Sequence, residues 1–278
     1  MEVAFEIFGE NIGVTGAMKI VVLTQNDIHF IPANIEKLIK IATVDVVSVG
    51  IVRGPAEVGR KRWLFLRAFG GIQCGAFFLI GLVKHIRAAL FLMNRVFRTS
   101  LRPISIKNVC YQNMIEFFEQ VEPNSLDFID YIKRNNIDLI VSFSAPQVFG
   151  PKLLSAPKMG CINLHCSLLP EFSGIMPSFW TLFKRAKKFG VTVHFMDTEI
   201  DNGEILRQAV LQHVPRSIYD NIKATKTIGG GLMAETVRDL AEGRQIKVEQ
   251  TGAPQRTYFG WPSLSDLNEF RRQGGRFI

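Results

Sequence analysis

Two short stretches gather the side chains best able to do chemistry. The first is Asn163-Leu164-His165-Cys166-Ser167-Leu168-Leu169-Pro170, with Gly174 close behind. Residues 161–166 read as a buried strand that runs straight into polar residues. Such a strand sets an amide, an imidazole and a hydroxyl at the carboxyl edge of a sheet, where open α/β sheets bind ligands. The second stretch is Val191-Thr192-Val193-His194-Phe195-Met196-Asp197, then Asp201, Gly203 and Ile205. It again delivers polar groups from a strand to a turn, and Asp201-Asn202-Gly203 supplies the turn chemistry. Each residue alone has a plainer reading: Asn163 as a strand-end cap, His165 as a hydrogen-bonded core histidine, Asp201 as a turn residue. What the two stretches offer is an amide donor, a ring that exchanges protons near neutral pH and a carboxylate, which could converge.

The surrounding elements must position them. Residues 19–24 (KIVVLT) read as a buried strand, 31–41 as a helix and 44–52 as a second strand ended by Gly54-Pro55. This βαβ opening implies a parallel sheet with crossover helices. The rhythm resumes with a helix over 126–135, a strand over 137–143, a short helix over 151–155 and the strand 161–166. A helix over 177–188, strands over 191–196 and 205–214, and a long helix over 217–242 ended by Gly243 follow. The tail holds Tyr258, Phe259, Trp261 and Pro262, then a small helix over 265–273, and is expected to pack on the main domain. The fold class is α/β: a Rossmann-like, mostly parallel sheet flanked by helices, with a small C-terminal subdomain. The expected organisation is a flexible extension over 1–17, a catalytic domain over 18–212 with a basic apolar helical insertion at 60–103, and a C-terminal helix and aromatic tail over 213–278.

Bulk properties agree with a globular enzyme. The chain has 278 residues, of which 47% are apolar and 21% charged. Cys74, Cys110, Cys161 and Cys166 form no CxxC pair and no zinc-ligand spacing, so reduced thiols and no metal are expected. The first residues carry Glu2, Glu6 and Glu10 and do not read as a signal peptide. The net charge is +8, but ten Lys/Arg against the single acid Glu57 lie between Arg53 and Arg102. The basic surface therefore belongs to one segment. From Lys84 onward, Lys84, Arg87, Arg95, Arg98 and Arg102 fall within roughly 80° on a helical wheel, with Ile86, Leu90, Met93 and Phe97 opposite. Three readings follow: a solvated basic face over an ordinary apolar helix, a membrane-surface helix, or a phosphate-binding surface.

Together the two stretches resemble the 10-formyltetrahydrofolate-dependent formyltransferase family. That family shows Asn-x-His-x-Ser-Leu-Leu-Pro with a nearby glycine, then a downstream His-x-x-Asp-x-x-x-Asp-x-Gly, matched here by His194, Asp197, Asp201 and Gly203. The resemblance covers about residues 18–211, is weak over 60–103 and is only suggestive in the tail. It implies that Asn163 and His165 donate to a developing oxyanion, and that Asp201 orients His165 or relays a proton through water. It implies 10-formyltetrahydrofolate as formyl donor, with no metal. The pterin is then held by the loop Ala145-Pro146-Gln147-Val148 and by Met196, Asp197 and Ile200, although Pro146 stands where a residue with a free amide is frequent. Ser167, Pro170, Gly174 and Pro177 are the corresponding substrate-binding candidates.

Three branches of that family differ in the accepting amine. Glycinamide ribonucleotide enzymes open with a Gly/Ser-rich phosphate loop, whereas Thr24-Gln25-Asn26-Asp27-Ile28 has no glycine to cradle a phosphate. Methionyl-tRNA enzymes are closer in the catalytic stretch, including Gly160-Cys161 and Pro177, but carry an added C-terminal β-domain. The third branch formylates nucleotide-linked amino sugars and ends in a short aromatic tail like Tyr258-Phe259-Gly260-Trp261-Pro262. The expectation is therefore a cytoplasmic amino-sugar formyltransferase, acting on a small amine on a nucleotide or lipid carrier. A methionyl-tRNA formyltransferase-like enzyme and a 10-formyltetrahydrofolate hydrolase are the alternatives. The expected partners are a small-molecule amine ahead of nucleic acid, a membrane surface through 60–102 that would place the enzyme peripherally, and a second copy in a homodimer.

Overall fold

The computed structural model describes residues 16–54, 67–69, 75, 78–87, 89, 105–246 and 255–278. The expected extension falls outside them except at its last two residues, and so does most of the basic segment. The elements are β1 (Met18–Thr24), α1 (Ile31–Ile39), β2 (Val44–Val52), α2 (Ile106–Gln112), β3 (Glu116–Val121), α3 (Leu126–Arg134) and β4 (Leu139–Phe143). They continue with α4 (Pro151–Leu154), β5 (Cys161–His165), β6 (Ser173–Gly174), α5 (Pro177–Phe183), β7 (Gly190–Phe195) and β8 (Ile205–Val210). The last three are α6 (Ile218–Ala241), β9 (Tyr258–Phe259) and α7 (Leu264–Arg272).

Seven strands form one sheet in the order β3-β2-β1-β4-β5-β7-β8. The first five run parallel, while β7 and β8 are antiparallel to their neighbours. The sheet is thus α/β and mostly parallel. The order turns around between β1 and β4, the switch point of a doubly wound sheet. Central β1 and β4 are largely apolar and almost wholly buried because helices cover both of their faces. On one side Ile20, Val22, Val141, Ile162, Leu164 and Val193 pack with Ile31, Ile35 and Leu38 of α1 and Met233 and Val237 of α6. On the other, Val21, Leu23, Ile140 and Cys161 pack with Phe128, Ile129 and Ile132 of α3 and Leu153 of α4. Serine side chains accept from backbone amides to start α2, α3, α6 and α7, satisfying donors that a helix start leaves open.

Several boundaries differ from the sequence reading. The helix expected over 177–188 stops at Phe183, because Arg185 takes a left-handed φ of 52° and the Ala186 amide turns back to the Thr181 carbonyl. The strand expected to reach Val214 ends at Val210. Neither α2 nor β3 was anticipated. β3 (EFFEQV) lies on the sheet edge with most of its side chains in water, so it lacks the apolar run that announces a buried strand. The helix expected over 217–242 runs from Ile218 to Ala241 and packs on α1, β7 and β8, within the main layer. The tail packs on the main body as expected. It pairs β9 with β6 and buries Leu267 and Phe270 against Phe179, Trp180 and Ile218.

Candidate active site

Alternation along β5 divides its residues between two jobs. Ile162 and Leu164 face α6, and Leu164 meets it where Gly229 leaves no room for a Cβ. Cys161 belongs to the opposite cluster, so Asn163 and His165 face that side too. The antiparallel partner β7 sets His194 opposite Asn163 and Thr192 opposite His165. The polar residues therefore line a sheet face near its carboxyl edge. The edge itself, expected from sequence, supplies only His165.

Asp201 arrives from the β7–β8 turn. The chain leaves β7 near the start of β5, where the Met196 amide donates to the Cys161 carbonyl at 2.7 Å. It then folds back over the face. Gly203 permits this, since a Cβ there would overlap the Phe195 carbonyl. Asp201 itself holds a φ of 52°, a left-handed conformation uncommon outside glycine, asparagine and aspartate. Its carboxylate stands between two rings: Oδ2 lies 3.4 Å from His165 Nδ1 and Oδ1 lies 3.5 Å from His194 Nε2. The Gly174 amide donates to Oδ2 at 2.7 Å. All three charged or ring side chains are at most 10% exposed.

Burial alone would raise the Asp201 carboxyl. The neighbouring His165 charge, a hydrogen bond from His194 and the Gly174 amide overcome that penalty and hold it well below the usual carboxylate range. Asp201 is thus an anion at neutral pH. The two rings are pinned from behind. His165 Nε2 donates to the Phe172 carbonyl at 2.8 Å, which leaves Nδ1 toward Asp201. His194 Nδ1 donates to the Phe195 carbonyl at 2.7 Å, and its Nε2 also lies 3.4 Å from Asn163 Nδ2. The amide of Asn163 thus sits beside the His194 ring. The group as a whole has a hydrogen-bond donor, a ring able to carry a proton and a fixed anion on one face.

The remaining sequence candidates fall into two sets. Ala145 and Met196 each pack, partly buried, against the apolar cluster that holds Cys161 of β5. Pro146 and Val148 lie on the same loop, with Val148 half exposed and its carbonyl accepting from Asn124 Nδ2. Gln147 Nε2 donates to the Arg53 carbonyl and to Glu122, and Asp197 Oδ1 accepts from the Glu199 amide, so these two side chains shape their own loops. Ile200 is partly exposed next to Asp201. Ser167 is 1% exposed, and its hydroxyl bonds the Glu171 and Phe172 carbonyls, closing the loop that follows β5. The Gly174 amide serves Asp201. Pro170 offers its carbonyl to the Thr257 amide, and Pro177 opens α5.

Sequence reasoning gave no role to Thr192, Arg256 or Thr257. Buried Thr192 ties Ser167 O, the Leu169 amide and Gln208 together under the His165 loop. Arg256 donates to Glu199 and to the Ile200 carbonyl, and Thr257 accepts from the Phe172 amide and bonds the backbone of Pro170 and Ser173. The tail thus grips both loops that carry the site. The alternation Thr192–His194 was a usable signal for the threonine; nothing local to the tail marks Arg256.

Residues 98–226 match the family described as Formyl transferase. The methionyl-tRNA formyltransferase of Clostridioides difficile is 33% identical over 144 residues, which are 50% of this chain and 45% of that protein. The one from Citrifermentans bemidjiense is 32% identical over 155 residues, 54% of this chain and 48% of that protein. The chain thus spans about half the length of these curated relatives. Among solved structures, a sugar N-formyltransferase from a Shewanella species aligns with a TM-score of 0.54 at 18% identity, covering 87% of this chain and 76% of that one. An N-formyltransferase from Helicobacter canadensis, in complex with folinic acid and dTDP-3-aminofucose, aligns with a TM-score of 0.54 at 15% identity over 91% of this chain and 80% of that one. At such identity the structures establish a shared fold, and these relatives and neighbours are enzymes.

Proposed function

We propose that the protein moves a formyl group from 10-formyltetrahydrofolate to a primary amine at the face lined by Asn163, His165 and Asp201, a reading in line with the match of residues 98–226 to the family described as Formyl transferase. The observation that carries this reading is the Asp201 carboxylate held between two imidazoles on the face that also presents the Asn163 amide. The donor supplies an activated formyl carbon. Asn163 donates its amide hydrogens to the oxygen that becomes anionic as the amine attacks. His165 carries the proton that returns to the departing nitrogen, its Nε2–H exchanging the Phe172 carbonyl for the substrate. Asp201 keeps the His165 ring in place and accepts, through water, the proton the amine must lose. The packing of Ala145 and Met196 against one apolar cluster, that of Cys161, suits a flat heterocycle covered on its faces and read along its edge.

For the acceptor we favour an amino sugar on a nucleotide. Two features support it: the aromatic tail is built into the site loops through Thr257 and Arg256, and the likeness to sugar N-formyltransferase structures extends over most of the chain. Methionyl-tRNA is the second reading, favoured by the sequence relatives. We place the reaction in the cytoplasm, which fits the free thiols of Cys110, Cys161 and Cys166. The test is donor turnover against a panel of nucleotide-linked amino sugars and methionyl-tRNA, with His165→Ala as control. Turnover with one amine and not with the control supports the reading. Release of formate at the same rate without any acceptor would make the protein a hydrolase, and no turnover with any partner would remove the assignment.

A further inference from the structure

The helical stretch at residues 78–87 turns the wrong side to water. An ordinary surface helix buries its apolar stripe and exposes its charges. Here Leu79, Leu82, Val83 and Ile86 are 61%, 56%, 47% and 52% exposed. On a helical wheel these four fall within roughly 100° of one another, with no charged residue between them. The side toward the protein is the polar one. Lys84 Nζ donates to the His29 carbonyl at 3.0 Å, and lies 6.0 Å from the centre of the Phe30 ring. A Cβ on Gly81 would stand 3.7 Å from the His29 ring nitrogen. The helix is therefore anchored on the loop after β1 by its lysine, and its apolar stripe faces away from the body.

We propose that this stripe docks on an anionic membrane surface. Bulky apolar groups flanked by cations are the pattern of helices that lie in the interface plane, where buried apolar area and attraction to acidic headgroups add. Arg87 borders the stripe and is exposed. Ten Lys/Arg and one acid lie between Arg53 and Arg102, so the segment as a whole complements negative lipid. The same charge argues against a second copy on this face, since two such segments would repel. Contact here means lying on the surface: among the described residues no helix is long and apolar enough to cross a membrane. The inference does not depend on the formyl-transfer reading.

The test is co-sedimentation of the full chain with phosphatidylcholine vesicles, with and without phosphatidylserine, at low salt. The wild type is expected to pellet with the acidic vesicles and to be released by salt. Leu82→Glu together with Ile86→Glu is expected to weaken binding about tenfold or more, since two apolar side chains lose their burial. Both positions are exposed, so the thermal midpoint should stay; should the double variant misfold, amide exchange over 78–87 in the wild type gives the answer, slowing when acidic vesicles are added. Failure of the wild type to pellet overturns the proposal. So does undiminished pelleting of the folded double variant, unchanged exchange over 78–87, or a wild-type dimer that the double variant dissolves.

Discussion

The two faces of β5 show how little chain separates packing from chemistry. On one face Ile162 and Leu164 are packed in the apolar cluster with Met233 and Val237 of α6, and Gly229 allows close approach. On the other, one residue out of step, Asn163 and His165 stand with His194 and Asp201. The packed face is held by burial that any well-shaped apolar group could supply. The polar face is held by a few directed bonds, each of which fixes an orientation: Phe172 for His165, Phe195 for His194, Gly174 for Asp201. Damage to the first should cost stability and spare the chemistry of molecules that remain folded. Damage to the second should cost the chemistry even of molecules that remain folded.

The sharpest break is His165→Ala. On the proposed reading, formyl transfer falls by roughly a thousandfold, because the carrier of the returning proton is lost. The thermal midpoint should fall as well, because the buried Asp201 carboxylate loses a partner, so turnover is compared per folded molecule. Steady-state turnover and a melting curve on the same sample check both halves. Leu164→Ala is the mirror experiment. It leaves a cavity beside Gly229 and should cost about 2–5 kcal/mol in urea unfolding. Turnover per folded molecule should remain within a few-fold.

How much of this could be read from the amino acids alone follows the same division. The central strands were legible because β1, β4 and β5 are largely apolar runs bounded by turn residues. So were Asn163, His165 and Asp201, whose types and order stand out against a buried strand and a Gly-terminated turn. The edge strand β3 was not legible, since Glu116, Glu119 and Gln120 are exposed on it and break up the apolar run that Phe117, Phe118 and Val121 would otherwise make. The part played by Ser167 was not legible, because a hydroxyl next to such a stretch reads the same whether it points at a ligand or closes a loop. The grip of Arg256 on Ile200 is a contact across 56 residues, and no local pattern encodes such a partner. The amphipathic pattern was legible only from Lys84 onward; the stripe at 79–86, and which side of it faces out, emerge from the packing of Lys84 on His29.

The tail sharpens the comparison from a distance. Arg256→Ala removes two contacts to the Glu199–Ile200 turn and touches no proposed reacting group. It should lower the rate by three- to tenfold, about 1 kcal/mol, with the exposed pair to Glu199 giving the smaller part. Arg256→Lys should recover only part of that loss. An effect on melting without one on the rate would make the tail a packing element only.

The smallest expected effect is in acid. The folded-state pKa of Asp201 lies below that of an unfolded carboxyl, so its ionised form favours the fold. That contribution is complete above about pH 4, the ordinary aspartate range, and drains away as pH falls toward the depressed value. Urea unfolding at pH 5 and pH 3 should show a steeper acid loss for wild type than for Asp201→Asn.

The central claim is that His165 and Asp201 act as one unit on a single carbon, and a double-mutant cycle in single-turnover formyl transfer tests it most directly. If they form a unit, the His165→Ala, Asp201→Asn double variant should be no more than a few-fold slower than the worse single variant. Losses that multiply would mean that the two side chains work independently, and the account of the polar face would fail.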